Sequence, residues 1–143
     1  MRLHFWVVEL TMLLLVLGGC CRAQDDSSES GMLTVYYFPI GAETLTPITS
    51  ASIEERGKHC EIHRSANTRK IKKILHDAVK PPSQKFSDTA VRVKLLEASS
   101  DGNRLLAIVE NEGEVRFPDG TEGQVSRKGL STLKKVIESQ CGQ

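Results

Sequence analysis

The stretch that decides the fold is VRVKLLEASSDGNRLLAIVENEGEVRF, residues 91–117. It begins with alternation, in which Val91 and its apolar successors point one way and Arg92 and Lys94 point the other, as in a half-buried strand. The Asp-Gly-Asn at 101–103 and the Asn-Glu-Gly at 111–113 favour tight turns, and apolar residues follow each of them. The stretch therefore predicts three antiparallel strands in a meander.

Two amphipathic helices are predicted on either side of this meander. In residues 65–79 apolar side chains recur at i, i+3, i+4 and i+7, and Pro81-Pro82 ends the pattern. Ser126 favours the start of a second such segment. The apolar stripes comprise Ile71, Ile74, Leu75 and Ala78 in the first helix, and Leu130, Leu133, Val136 and Ile137 in the second. We expect these stripes to be buried, while Lys70 and Lys73 stay exposed.

One more strand precedes the first helix. Met32 to Ile40 combines β-branched and aromatic side chains, and Pro39 ends its ladder. The order β-α-β-β-β-α predicts an α+β fold, a small antiparallel sheet with two helices on one face. Between these elements, Gly41 to Lys58 shows no periodic pattern and is predicted as a long loop, the kind of segment that often carries function.

The chain starts with a segment typical of an export signal. Arg2 precedes an apolar run from Leu3 to Leu17, which is too short to span a bilayer stably. Two cleavage sites are compatible with it. One lies after Cys21-Arg22-Ala23, whose small residues suit a secretory signal peptidase, and it would release a periplasmic or extracellular protein.

The other site is Leu17-Gly18-Gly19-Cys20, which resembles the lipobox of bacterial lipoprotein precursors. The resemblance covers the leader only. It implies that a lipid is attached to the thiol of Cys20, that the chain is cut just before this residue, and that the protein is anchored to a cell-envelope membrane through the lipid.

Either cleavage leaves one small domain. Residues 1–23 form the leader, residues 24–31 are polar and are predicted as a flexible tether, and residues 32–143 form a single α+β domain. The leader contains two of the 19 Lys and Arg residues and one of the 18 Asp and Glu residues, so the remaining chain is formally neutral. Neutrality argues against nucleic acid as a partner, because that function needs a basic surplus.

The cysteine count predicts a disulfide bond. Cys60 and Cys141 are the only cysteines outside the leader, and an exported protein meets an oxidising environment. We expect the two residues to be bonded, with Cα atoms within about 7 Å of each other.

The sequence HCEIH at 59–63 raises a chemical alternative. Imidazole and thiolate are ligands for zinc and copper, so His59, His63 and His76, together with Cys60, are candidate metal ligands. Cys60 is also a candidate nucleophile with a nearby histidine as base. A bond from Cys60 to Cys141 would remove the thiolate from both sites.

Other catalytic signals are missing from the sequence. Phosphate-binding loops and nucleophile elbows do not occur. Glu110, Glu112 and Glu114 flank a turn, where exposed carboxylates are common and the burial that a general acid needs is not expected. We therefore assign no catalytic residues and expect no cofactor.

The sequence thus favours an exported, lipid-anchored cell-envelope protein that acts as a noncatalytic binding or inhibitor module. Its partner is expected to be an envelope or extracellular protein. The predicted contact surface combines Gly41–Lys58 with the hairpin tip Glu110–Glu114. The alternative is a small metal-binding or hydrolytic enzyme that uses the region His59–His76.

Overall fold

The predicted meander forms the centre of an antiparallel sheet in the computed structural model, which describes residues 31–63 and 66–142. The strands are β1 (Leu33–Tyr37), β2 (Lys58–Ile62), β3 (Val91–Ser99), β4 (Gly102–Glu110), β5 (Glu114–Arg116) and β6 (Glu122–Gln124). The helices are α1 (Ser52–Arg56), α2 (Ala66–His76) and α3 (Arg127–Cys141). The strands lie in the order β2-β1-β3-β4-β5-β6, and each neighbouring pair is antiparallel. The predicted α+β class with an antiparallel sheet is confirmed.

Both predicted turns of the meander contain a glycine in the left-handed region. Gly102, the first residue of β4, has φ 111°, and Gly113, between β4 and β5, has φ 95°. Residues with a Cβ atom rarely adopt these angles, so the two glycines fix where the chain reverses.

Three elements lie outside the predicted order β-α-β-β-β-α, namely α1, β2 and the short edge strand β6. The segment Gly41–Lys58 is not a continuous loop, because it contains α1, a helix of five residues of which only Ile53 is buried. So short a helix shows no apolar period in the sequence. The histidine-rich stretch forms β2, an edge strand whose one buried residue is Ile62. Polar edge strands are common because they discourage pairing with other chains.

The two longer helices share one hydrophobic cluster with the sheet. Ile71 and Leu75 of α2 are buried in it, whereas Ile74 is only partly buried at its edge. Lys70 and Lys73 are exposed, as predicted. The other buried members are Leu33, Val35, Tyr37, Ile62, Val93, Leu95, Ala107, Val109, Val115, Val125, Leu133, Val136 and Ile137.

A second cluster covers the opposite side of the strands. It contains Ile48, Ile53 of α1, Phe86, Val91 and Ile108. Ile108 alternates with Ala107 and Val109 of the first cluster, which places it on the other face of β4. Buried apolar clusters therefore lie on both faces of the central strands, and α1 contributes Ile53 to the second cluster.

A disulfide bond joins Cys60 of β2 to Cys141 at the end of α3. The Cα atoms lie 5.5 Å apart, and the residues are separated by 81 positions. The pairing is the one that the cysteine count predicts. Tyr37 Oη donates a hydrogen bond to the carbonyl oxygen of Cys141 at 3.2 Å, a second link between the sheet and this end of the helix.

The leader, Cys20 and residues 24–30 of the predicted tether lie outside the described residues. Within 31–63 and 66–142, no helix is long and apolar enough to cross a membrane.

Candidate binding cavity

The structure does not bring the candidate metal ligands together. His59 lies on β2, and His63 follows the last residue of that strand, four positions further along the chain. Four residues of extended chain span about 13 Å. His76 ends α2, and its side chain is 90% exposed. Among the described residues, no group of three or more His, Cys, Asp or Glu side chains is placed to hold a metal ion. The sulfur of Cys60 is in the disulfide bond, so no thiolate is available there as ligand or nucleophile.

The two segments of the predicted contact surface do meet. The backbone N–H of Gly41 donates a hydrogen bond to Asn111 Oδ1 at 2.7 Å, which ties the loop after β1 to the turn after β4. These segments and residues 89–92 surround an open cavity of about 610 Å³. Its lining consists of Gly41, Ala42, Glu43, Thr44, Leu45, Pro47, Thr89, Ala90, Arg92 and Asn111.

Ile48 fixes the loop on one side of the cavity. Its side chain is fully buried in the second cluster. Its backbone N–H donates to the carbonyl oxygen of Thr89 at 3.2 Å, and its carbonyl oxygen accepts from the N–H of Val91 at 2.9 Å. The loop from Gly41 to Pro47 is therefore held between the end of β1 and the start of β3.

Glu110 fixes the other side, contrary to the expectation that carboxylates at this turn are exposed. It is buried, and its carboxylate accepts hydrogen bonds from Ser87 Oγ (2.8 Å) and from the backbone N–H groups of Ser87 (3.0 Å), Thr89 (3.2 Å) and Ala90 (3.4 Å). Strand alternation places Glu110 on the same face as Ile108, beneath the segment that precedes β3.

The two other carboxylates at this turn differ from each other in burial. Glu114 is buried as well, so its predicted exposure is also wrong, whereas Glu112 is exposed. Glu114 lies in β5, whose hydrogen bonds with β4 and β6 make it an interior strand rather than a free tip.

Arg92 is directed to the cavity by an irregularity in β3. Val91 pairs with Glu110 and Val93 pairs with Val109, so Arg92 is an extra residue on its strand. Such a β-bulge changes the direction of a side chain and is common beside functional sites. Arg92 is 5% exposed and lines the cavity, although its place on the polar side of a half-buried strand predicts a solvent-facing side chain.

The guanidinium of Arg92 has hydrogen-bond partners for only some of its N–H donors. Nη1 donates to the carbonyl oxygen of Val91 at 3.0 Å, and Nη2 donates to that of Ala42 at 2.9 Å. Nε is buried and has no hydrogen-bond partner. None of the ion pairs between described residues includes Arg92. Desolvation by burial lowers the pKa of Arg92 below its ordinary value.

The rim of the cavity carries an unusual apolar side chain. Leu45 is fully exposed, and Pro47 beside it is also exposed. An exposed leucine alone is ordinary on a protein surface. Here it stands next to a cavity that contains a buried cation, so the two together offer apolar and polar contacts within one small area.

Comparison of the chain with protein-family models, with curated proteins and with solved structures gives no match. The fold class by itself carries no function, since α+β domains serve many. The cavity geometry is therefore the basis for the functional argument.

Proposed function

We propose that the protein is an exported, lipid-anchored cell-envelope protein that works as a noncatalytic binding or inhibitor module, and that the cavity around Arg92 is its contact site. The observation that carries the proposal is the meeting of two segments, the loop from Gly41 to Pro47 and the turn at Asn111, around an open cavity.

The way the rim is held supports recognition by a preformed surface. Buried groups on both sides, the Ile48 side chain and the Glu110 carboxylate, fix the backbone that borders the cavity. A preformed surface loses less conformational entropy when a partner binds, so more of the contact energy appears as affinity. Exposed Leu45 supplies apolar area at the rim.

The enzymatic alternative in the region His59–His76 has less support. It needs a thiolate or converging imidazoles. The disulfide bond uses the sulfur of Cys60, and His76 ends α2 whereas His59 lies on β2.

Selection with a phage-displayed library of short random peptides tests the proposal. The mature full-length protein is the immobilised target, and Leu45→Asp is the cavity variant. Val79→Asp is a matched control, because among the described residues Val79 is the other exposed large apolar side chain, and it lies outside the cavity lining.

We expect enriched peptides that bind the wild-type protein and lose affinity by about tenfold or more on Leu45→Asp, which corresponds to about 1.4 kcal/mol. The same peptides should bind the Val79→Asp variant as they bind the wild type. The proposal is contradicted if no peptide is enriched, or if the enriched peptides bind both variants equally well.

A further inference from the structure

We infer that the cavity recognises a carboxylate group on an acidic side chain of an extended peptide segment, which is bound by the guanidinium of Arg92. This inference rests on the proposed binding function and specifies the chemistry of its partner.

The donor inventory of Arg92 gives the first argument. A guanidinium has five N–H donors in a planar fork. Two hydrogen bonds to carbonyl oxygens are formed, and Nε has no partner. A buried cation without a counter-ion is unfavourable, and a carboxylate is the group whose geometry matches the guanidinium fork. A ligand carboxylate would therefore supply the charge that the protein itself does not place there.

The charge of the cavity lining selects a monoanion. Arg92 is the one basic residue in the lining, and Glu43 is the one acidic residue. A carboxylate carries one negative charge and balances Arg92 alone. A phosphate group carries close to two at neutral pH and would meet a single cation and the repulsion of Glu43. Lys94, the next basic side chain along β3, is already paired with Glu54.

The size and composition of the rim point to a peptide rather than a free acid. A cavity of about 610 Å³ is far larger than a carboxylate group. Leu45 and Pro47 can contact an apolar neighbour of the acidic residue, and the hydroxyl group of Thr44 can bond to a peptide backbone. A short segment with an acidic residue between apolar ones fits these features.

Titration of isotopically labelled protein, followed by NMR, tests the inference. The probes are the blocked peptides acetyl-Leu-Glu-Leu-amide and acetyl-Leu-Gln-Leu-amide, acetyl-Leu-Gln-Leu with a free carboxyl terminus, sodium acetate and inorganic phosphate. The observables are the backbone amide signals of residues 41–47 and the Nε–Hε signal of Arg92, whose Nε is at present without a partner.

We expect the glutamate peptide to bind at least tenfold more tightly than the glutamine peptide and to shift the Nε–Hε signal. Arg92→Gln should abolish this difference. Arg104→Gln should preserve it, because Arg104 is an exposed arginine of β4 that pairs with Glu97 away from the cavity. Since Arg92→Gln also removes the bond to Ala42, Glu43→Gln provides a second variant on the exposed rim. It should tighten the glutamate peptide by about twofold or more, because a repulsive charge is removed.

Several results would overturn the inference. One is equal binding of the glutamate and glutamine peptides, and another is a preference for the glutamate peptide that survives Arg92→Gln. Binding of phosphate more tightly than the glutamate peptide, or of acetate as tightly as that peptide, would also overturn it. So would tighter binding of the peptide with a free carboxyl terminus than of the glutamate peptide. Equal binding of the two blocked peptides, together with library peptides that depend on Leu45, would refute carboxylate recognition and leave the proposed binding function standing. Loss of both would refute both.

Discussion

The carboxylate of Glu110, at the end of β4, accepts two hydrogen bonds from Ser87, one from the hydroxyl at 2.8 Å and one from the backbone N–H at 3.0 Å. Ser87 lies 23 residues earlier in a segment with no regular structure of its own. One buried side chain thus orders the backbone that leads into β3, and with it one wall of the cavity.

Glu110→Gln should destabilise the protein by about 1–3 kcal/mol. The amide group replaces one acceptor oxygen by an N–H₂ donor, which would face donors of Ser87, Thr89 and Ala90 and leave buried groups unpaired. Urea unfolding measures the change, and Glu112→Gln, an exposed residue of the same turn, should shift the midpoint little. Equal midpoints for the two variants would contradict the role given to Glu110.

Removal of the disulfide bond should have a larger effect. The bond closes a loop of 81 residues, and loop-closure entropy for that length is worth about 4 kcal/mol. We expect the double variant Cys60→Ser, Cys141→Ser to lose a comparable amount in urea unfolding, and reduction of the wild type to lower the midpoint similarly. Thiol labelling of the unreduced protein, located by peptide mass, should find neither Cys60 nor Cys141 labelled. Labelling of both Cys60 and Cys141 in the native protein would refute the pairing.

The apolar face of α2 predicts a graded response. Ile71 is fully buried, and Ile71→Ala should cost about 2–5 kcal/mol. Ile74 is partly buried, so Ile74→Ala should cost less. Lys73→Ala should shift the unfolding midpoint very little, because its exposed pair with Asp77 contributes little. If Lys73→Ala shifted the unfolding midpoint as far as Ile71→Ala, the assigned face would be wrong.

Stability at acid pH should depend on Glu122. A hydrogen bond from Arg116, at 3.0 Å, is the main cause that lowers the pKa of Glu122 below its ordinary value of 4.5. Because the unfolded chain then binds the proton more tightly, the stabilisation is present above about pH 4.5 and is lost as the pH falls through the folded pKa.

Melting temperatures measured from pH 6 down to pH 3 test this sign. The wild type should lose more stability over that range than either Glu122→Gln or Arg116→Gln, since each variant lacks the pair. A wild-type curve parallel to both variants would show that the pair does not contribute.

The attachment of the protein is tested at its N-terminus. If Cys20 carries the lipid, the mature wild-type protein expressed in a bacterium should have a blocked, lipid-modified N-terminus at Cys20, and two or more acyl chains should hold it in the membrane fraction. The Cys20→Ser precursor should stay in that fraction as a heavier, unprocessed species. A free N-terminus at Gln24 in the soluble fraction would refute lipidation and indicate simple secretion.

Regular elements of sufficient length could be predicted from the sequence. The meander at 91–117 and the two long helices show a clear period. The turns predicted in the meander contain Gly102 and Gly113, and both residues have positive φ angles in the structure. The edge strand β2 and the five-residue α1 could not be predicted, because their few buried residues leave no period. Part of the predicted contact surface also has a counterpart in the structure, because its two segments are joined by the hydrogen bond from Gly41 to Asn111.

The sequence by itself determined the antiparallel α+β class and the cysteine pair that the structure bonds, because residue periodicity and residue counts are local properties of the chain. Only the tertiary structure decided that Glu110 and Arg92 are buried. Residues in the segment 87–90 donate hydrogen bonds to Glu110, and Arg92 donates to the carbonyl oxygen of Ala42. Both contacts join segments that are 20 or more residues apart in the chain. The alternation of apolar and polar residues at the start of β3 fits a half-buried strand and also a strand that is covered on both faces. Which of the two forms depends on how distant loops pack against the strand.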